Sequence, residues 1–444
     1  MIAPARRLAF EAIRATFERE AHTELAFRQA ADAAKLDGRE RAQGQRLSFG
    51  TVQRRGTIDA ALERLIDRPL REIDPPVLAG LRLGLYELLF ADGTPDHAAV
   101  DQAVELVKQA GAPHASGFVN AVLRRASRER EATIEALLSD DSTPESAAVK
   151  YSAPLWLAQM WWRELGPEDA RSLLAACNEP PETAFRVNTL RSDSESVLAR
   201  LRDAGVTAHS AASDLPHPST GRKTQSGSES LLALPEMIVV EGRTGDLVPE
   251  MVAAGELTPQ SRGSAAAVAV LDPQPGEHVL DLCAGPGIKT GQIAARMEDR
   301  GEVISVESDP ARAAEVASQA TRLGLRSVTV IEADASQAGM TGFDRVLLDA
   351  PCSDLGALAS RPDARWRKSP ATIERLVGMQ DELLQRGLEA LRPGGTLVYS
   401  TCTISKRENE ERLDAEDSIQ LRPDRDRTTG FFIGRTKRDD GGDD

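Results

Sequence analysis

The sequence predicts three folded parts: an all-α helical bundle, then a small α/β subdomain, then a Rossmann-like α/β domain around a mostly parallel sheet. Three observations predict it. Residues 1–130 place apolar side chains at helical spacing and show no strand pattern. Residues 263–437 alternate short apolar runs with helical stretches, the rhythm of a parallel sheet wound on both faces. A polar stretch and then a mixed pattern lie between. At 444 residues the chain is also too long for one core, since domains run to roughly 100–200 residues.

In the first part, Leu8, Phe10, Ile13 and Phe17 recur at near-helical spacing, and further helices are expected at about 39–54, 57–67, 75–92, 97–111 and 114–129. Asp74-Pro75-Pro76 and Thr94-Pro95-Asp96 read as helix entries, with a capping acid or hydroxyl beside a proline whose fixed φ suits a first turn. Residues 131–150, containing Ser139-Asp140-Asp141-Ser142-Thr143-Pro144, read as a linker. The second part, 151–262, opens on a helical pair carrying Trp156, Trp161 and Trp162. A short strand follows at Ala184–Thr189, a helix at 193–204, a polar loop over 208–230, and one or two strands between Leu231 and Val252. In 263–437, buried strands are expected at Val279–Leu282, Val303–Val306, Val328–Ile331, Arg345–Leu348 and Thr396–Tyr399. Helices fill 289–298, 310–323 and 371–391, and Phe431–Ile433 reads as a last edge strand. The Gly/Asp tail, 438–444, is expected to be disordered.

Composition excludes several classes. No run of 18 apolar residues occurs, as a membrane-spanning helix would need. Arg6, Arg7, Arg14 and Arg19 are not followed by the apolar core of a signal peptide. Cys177, Cys283, Cys352 and Cys402 are too few and scattered for a disulfide framework, and no Cys or His spacing marks a metal site. A soluble cytoplasmic monomer with reduced thiols, no metal and no membrane association is expected. The net charge of −15 argues against holding nucleic acid by bulk charge. That charge is uneven: residues 1–130 hold 20 basic and 18 acidic side chains, and the remainder hold 34 and 51. A local basic groove for RNA remains compatible with this balance.

The chemistry concentrates where the strands end, the edge at which such sheets bind ligands. The first strand runs into Cys283-Ala284-Gly285-Pro286-Gly287-Ile288-Lys289-Thr290. Its glycines permit a tight turn and close backbone approach, and a helix N-terminus follows. Ile288 before Lys289 rules out the Gly-Lys-Ser/Thr of a nucleotide phosphate loop. Glu307 follows the second strand and suits a ribose diol; Asp334 follows the third and suits an adenine amino group; Asp349 ends the fourth. Four successive strands each ending in a polar handle fit S-adenosyl-L-methionine better than a dinucleotide.

Cys352 lies just past the fourth strand, in Asp349-Ala350-Pro351-Cys352-Ser353, and Cys402 just past the fifth, in Ser400-Thr401-Cys402-Thr403. Two thiols on neighbouring loops of one edge suggest covalent chemistry. Cytosine C5 is a poor nucleophile until a thiolate adds at C6, and a second group can then help break the adduct down. Spacing alone does not choose between the two sulfurs. An amino-group methyltransferase needs no thiol and would carry an Asp/Asn-Pro-Pro-aromatic loop where Asp349-Ala350-Pro351-Cys352 stands.

The segments Val279–Thr290, Asp349–Gly356, Arg361–Arg367 and Tyr399–Glu410 resemble the RsmB/Sun (Fmu) family of RNA cytosine-C5 methyltransferases. Arg186-Val187-Asn188-Thr189-Leu190-Arg191 resembles a motif in that family's small RNA-binding subdomain. Residues 6–128 resemble a NusB-type helical domain, most clearly at Leu81–Tyr86 and Gly117–Arg125. The resemblance implies a class I methyltransferase domain that uses S-adenosyl-L-methionine on RNA, most naturally 16S ribosomal RNA. It implies Cys402 as the nucleophile on C6, Cys352 as the group assisting release, and Asp349 facing base and methyl donor. Cys283, Ala284, Gly285, Pro286, Gly287, Ile288, Lys289, Glu307, Asp334 and Asp349 would line the cofactor. Arg186, Arg361, Arg365, Arg367 and Lys368 would face RNA.

This chain departs from the family's usual pattern at four places. Ile288 and Asp354 each stand where a glycine is usual, and Ser261 and Thr429 where an aspartate is. Two other readings compete: a methyltransferase acting on another class of substrate, and an RNA-binding or antitermination factor whose catalytic sheet has decayed. The paired cysteines and the fused helical part argue against the first. Retention of Cys402 and of every cofactor acid argues against the second.

Overall fold

Wherever apolar residues recur every third or fourth position, the chain forms helix. A computed structural model describes residues 2–439 apart from 37, 92, 214–227, 338, 414 and 416. The core of the expected loop and the terminal residues 440–444 thus lie outside the described residues. The chain divides into two units, Met1–Glu179 with Leu358–Ser369, and Pro180–Ala357 with Pro370–Asp444.

The first unit is all-helical. Helices run over Pro4–Glu18, Thr23–Ala34, Gly38–Gln53, Arg55–Leu65, Pro75–Phe90, Asp96–Gln109 and Ser116–Arg128. Pro75–Phe90 is the central one, with twelve of its sixteen residues buried. Close packing depends on its glycines: a Cβ on Gly80 would come within 2.4 Å of Val107, and one on Gly84 within 2.6 Å of Leu123. The side chain of Asp74 makes no capping hydrogen bond, so the proline sets this helix start unaided. The stretch read as a linker holds two further helices, Arg130–Leu138 and Pro144–Lys150. They bury little beyond Thr133, Ala147 and Ala148, which is why no apolar period marks them. Helices Leu155–Leu165 and Pro167–Ala176 complete this part of the unit.

The segment Leu358–Ser369 also belongs to this unit. The Trp366 Nε1–H donates to the Val52 carbonyl at 2.7 Å, and Arg55 lies 5.1 Å over its ring. Gly56 makes room for that ring, because a Cβ there would stand 2.9 Å from it.

The second unit carries two sheets. Strands β1 (Ala184–Val187), β2 (Thr207–Ser210), β3 (Met237–Glu241) and β4 (Leu257–Pro259) form an antiparallel sheet in the order β2-β3-β1-β4. The expected loop at 208–230 is thus flanked by β2 and a helix at Ser228–Leu232. Strands β5 (His278–Asp281), β6 (Glu302–Glu307), β7 (Val328–Glu332), β8 (Phe343–Asp349), β9 (Leu391–Thr401), β10 (Asp417–Leu421) and β11 (Phe431–Lys437) form the larger sheet. Its order is β10-β11-β9-β8-β5-β6-β7, with β5 to β9 parallel. Phe431–Ile433 is not at the edge: β11 runs antiparallel to both β9 and β10, and β10 takes the edge. The helices Ile288–Arg296, Pro310–Leu323 and Pro370–Ala390 connect the parallel strands, so all five strands deliver their carboxyl ends to one edge.

Candidate active site

β8 and β9 are parallel neighbours with Asp349 opposite Ser400, so the loops that follow them start side by side. Residues fifty apart in sequence therefore meet. Cys352 Sγ lies 3.4 Å from Cys402 Sγ, and Cys402 Sγ lies 3.4 Å from Asp354 Oδ1. The loops are laced together. The Gly356 N–H donates to the Cys402 carbonyl at 2.9 Å, and Ser353 Oγ and Thr403 Oγ1 are 2.7 Å apart. Cys352 is buried and Cys402 half-buried. The hydrogen bond to Cys402, and after it burial, hold the Cys352 thiol well above its usual range.

Glu408, fully buried, holds the Cys352 loop from behind. Its carboxylate accepts from the Ser353 N–H at 2.9 Å, from the Ser353 hydroxyl, and from Gln380 Nε2 at 3.2 Å. Gln380 also donates to the Pro351 carbonyl at 2.9 Å. Asp349 is held by Lys289 Nζ at 2.6 Å and by the Ser400 hydroxyl at 2.9 Å.

The loop after β5 turns through Gly285 at φ 56° and Gly287 at φ 83°, conformations that side chains disfavour. A Cβ on Gly287 would stand 3.0 Å from the Val316 Cα, whereas the space in front of Gly285 is open. Glu307 is buried and fixed at both oxygens, by the Gly285 N–H at 2.9 Å and the Asp309 N–H at 2.9 Å. Asp334 is exposed and accepts from the N–H and hydroxyl of Ser336. Burial of the Cys283 sulfur, and after it the nearby carboxylates of Asp281, Asp349 and Glu307, push its thiol up. Lys289 sits over the Phe431 ring at 5.0 Å. Open space before one glycine, with acids at successive strand ends, fits a nucleoside-bearing cofactor.

The five basic residues expected to face RNA divide. Arg186 is buried and donates to Gln260 and to the Ile288 carbonyl at 2.8 Å, fastening the first turn of the helix after the glycine loop. Burial lowers its pKa to about 9. Arg365 is also buried, with its pKa lowered to about 10 by burial, and donates to the Ser152 and Cys177 carbonyls at 3.0 Å each. Both guanidinium groups face inward, and the structure gives them a role inside the fold. Arg361 is exposed; Arg367 and Lys368 are half-buried, and Arg367 pairs with Asp363 at 2.9 Å.

Sequence reading assigned no role to Asp281 or Glu408. Asp281, fully buried, accepts from the Thr290 hydroxyl at 2.7 Å and leaves its other oxygen without a partner. Its signal was an acid inside an otherwise apolar strand. Two of the four departures meet: the Thr429 hydroxyl donates to Ser261 Oγ at 2.8 Å, and Ser261 caps the helix Arg262–Leu271.

A parallel sheet with a glycine loop at one strand end, acids at the next ends and reactive side chains beyond the last two defines a methyltransferase domain, here joined to a helical bundle and a small sheet subdomain. Family models agree: NusB family over residues 3–128, the RsmF/B-like ferredoxin-like domain over 153–215, and 16S rRNA methyltransferase RsmB/F over 268–435. The chain belongs to the RsmB/F methyltransferase family. It is 34% identical over 415 residues to the probable ribosomal RNA small subunit methyltransferase B of Synechocystis sp., covering 92% of this chain and 88% of that protein. It is 31% identical over 423 residues to the probable ribosomal RNA small subunit methyltransferase B of Bacillus subtilis, covering 94% and 89%. The crystal structure of PH0851 shares its fold with a TM-score of 0.79 and 25% identity, over 98% of both chains. Among the described residues, no helix is long and apolar enough to cross a membrane.

Proposed function

We propose that this protein methylates C5 of a cytosine in RNA, most naturally small-subunit ribosomal RNA, through a covalent adduct between Cys402 and C6. S-adenosyl-L-methionine, when bound, supplies the methyl group as an electrophile. Gly285, Glu307, Asp334 and Asp349 are the residues that would hold it, with Glu307 already oriented by two backbone N–H groups.

One observation carries the assignment of the thiols: Cys352 and Cys402 stand 3.4 Å apart, the first buried and the second half-buried. The buried thiol suits a partner, and the half-buried one, open to an approaching base, suits the nucleophile. The Cys402 sulfur forms a bond to C6, and the electron pair released across the ring makes C5 nucleophilic toward the methyl group. The C5 proton then leaves to a base, the C6–sulfur bond breaks, and the pyrimidine double bond returns. Cys352, its sulfur 3.4 Å from that of Cys402, would assist that second half. Asp349, held by Lys289 Nζ and the Ser400 hydroxyl, would present a fixed acceptor at the strand end after which the Cys352 loop begins.

The test is to incubate the full chain with small-subunit ribosomal RNA and methyl-labelled cofactor, then digest the RNA and identify the labelled nucleoside by mass spectrometry. Label in 5-methylcytidine is expected; label in any other nucleoside would overturn the reading. Bisulfite sequencing of ribosomal RNA from cells with and without the gene would then locate the base.

A further inference from the structure

Cysteine and acid spacing along the chain marks no metal site, yet the fold collects three ligand atoms at one point. We infer that Cys352, Cys402 and Asp354 form a binding site for a thiophilic divalent cation of the zinc type. A tetrahedral zinc ion, with Zn–S of about 2.3 Å and Zn–O of about 2.0–2.2 Å, separates two sulfur ligands by about 3.8 Å and a sulfur from an oxygen by about 3.5 Å. Here the sulfurs are 3.4 Å apart and Cys402 Sγ is 3.4 Å from Asp354 Oδ1. All three donor atoms lie within 4.8 Å of one another. Two of the three separations stand within about half an ångström of the chelate values, and the third lies within 4.8 Å.

The loops are built to hold these donors in place. Ser353, between the sulfur and carboxylate ligands, is locked by Glu408 and bonded to Thr403 next to Cys402. Asp354 sits at φ 59°, in the left-handed region that favours glycine, so its side chain is kept there at a conformational cost. Cys402 and Asp354 are half-buried, leaving an approach for the ion and a fourth position for water. Two sulfur ligands select zinc or cadmium over magnesium and calcium. Binding releases the two thiol protons to solvent. On the reading proposed above, the same coordination would withhold both sulfurs from the pyrimidine, so zinc would arrest methylation reversibly.

The test uses cadmium alone, titrated into the reduced full-length protein without RNA or cofactor, and reads the thiolate-to-cadmium charge-transfer band in the ultraviolet. The band should saturate at one equivalent and be displaced by zinc but not by magnesium. Cys352→Ser and Cys402→Ser should each remove the tight phase. Asp354→Gly, which relaxes the backbone, should weaken binding about tenfold. A missing band, a band unchanged in both cysteine variants, or an Asp354→Gly variant of undiminished affinity would overturn the site. None of these outcomes bears on which sulfur attacks cytosine, because no RNA is present.

Discussion

Cys352 and Cys402 lie with their sulfurs 3.4 Å apart at the ends of two parallel strands, and both loops share a hydroxyl contact between Ser353 and Thr403. Addition to C6 and breakdown of the adduct are separate steps needing separate groups. Cys402→Ser should therefore abolish turnover while cofactor affinity stays unchanged. Cys352→Ala should still attack and methylate, then accumulate a protein–RNA species that survives denaturing gel electrophoresis. Stalled adduct in the Cys402 variant and none in the Cys352 variant would exchange the two roles.

Asp334 sits exposed past β7, where it accepts from the N–H and hydroxyl of Ser336. Asp334→Ala should weaken S-adenosyl-L-methionine binding about tenfold, since a ligand amino group loses its acceptor, and should leave the thermal midpoint in place. Calorimetric titration checks both halves; unchanged affinity removes Asp334 from the site.

Asp281 has its pKa raised from 3.8 to about 6 by burial, against the opposing Thr290 hydrogen bond. A carboxyl that holds its proton more tightly folded than unfolded adds stability that is complete below the unfolded value and lost as pH rises through the folded one. The charged form at neutral pH thus costs about 3 kcal/mol. Asp281→Asn keeps an acceptor for Thr290 and should raise the melting temperature at about pH 8 but not at about pH 4. Equal shifts at both pH values, followed by circular dichroism, would show that burial of charge is not the cause.

Arg365 spends its guanidinium on the backbone carbonyls of Ser152 and Cys177 and on Asn178. Replacing it with Met leaves those acceptors buried and unpaired, a loss of about 3 kcal/mol. Scanning calorimetry of the full chain should show the lowest-melting transition moved down. If Arg365 served RNA instead, Arg365→Met would melt like the parent and lose only RNA affinity.

The parallel sheet was legible because strands buried on both faces read as continuous apolar runs. β8 and β9 ended within two residues of where those runs stop, which put both cysteines at the correct edge. β10 escaped notice because Asp417-Ser418-Ile419-Gln420-Leu421, at the sheet's border, is largely polar. Arg186 and Arg365 misled for a different reason: a buried arginine and a phosphate-gripping one have the same letter, and what separates them is a set of carbonyls distant in sequence. Glu408 was hidden likewise, its partners Ser353 and Gln380 lying 55 and 28 residues away. Asp354 was visible as a departure, but its closeness to both sulfurs came only from the fold.

The segment Leu358–Ser369 lies in the helical unit although both its flanks lie in the other one. The chain therefore passes from unit to unit at three places, after Glu179, Ala357 and Ser369. No single cut frees either half intact. A gene fragment ending at Glu179 would lack Trp366 and Arg365 from its packing, and one starting at Pro180 would carry those side chains with nothing to receive them. The helical unit is encoded in two separate stretches, so its loss or exchange would require rewriting twelve residues embedded in the other unit's sequence.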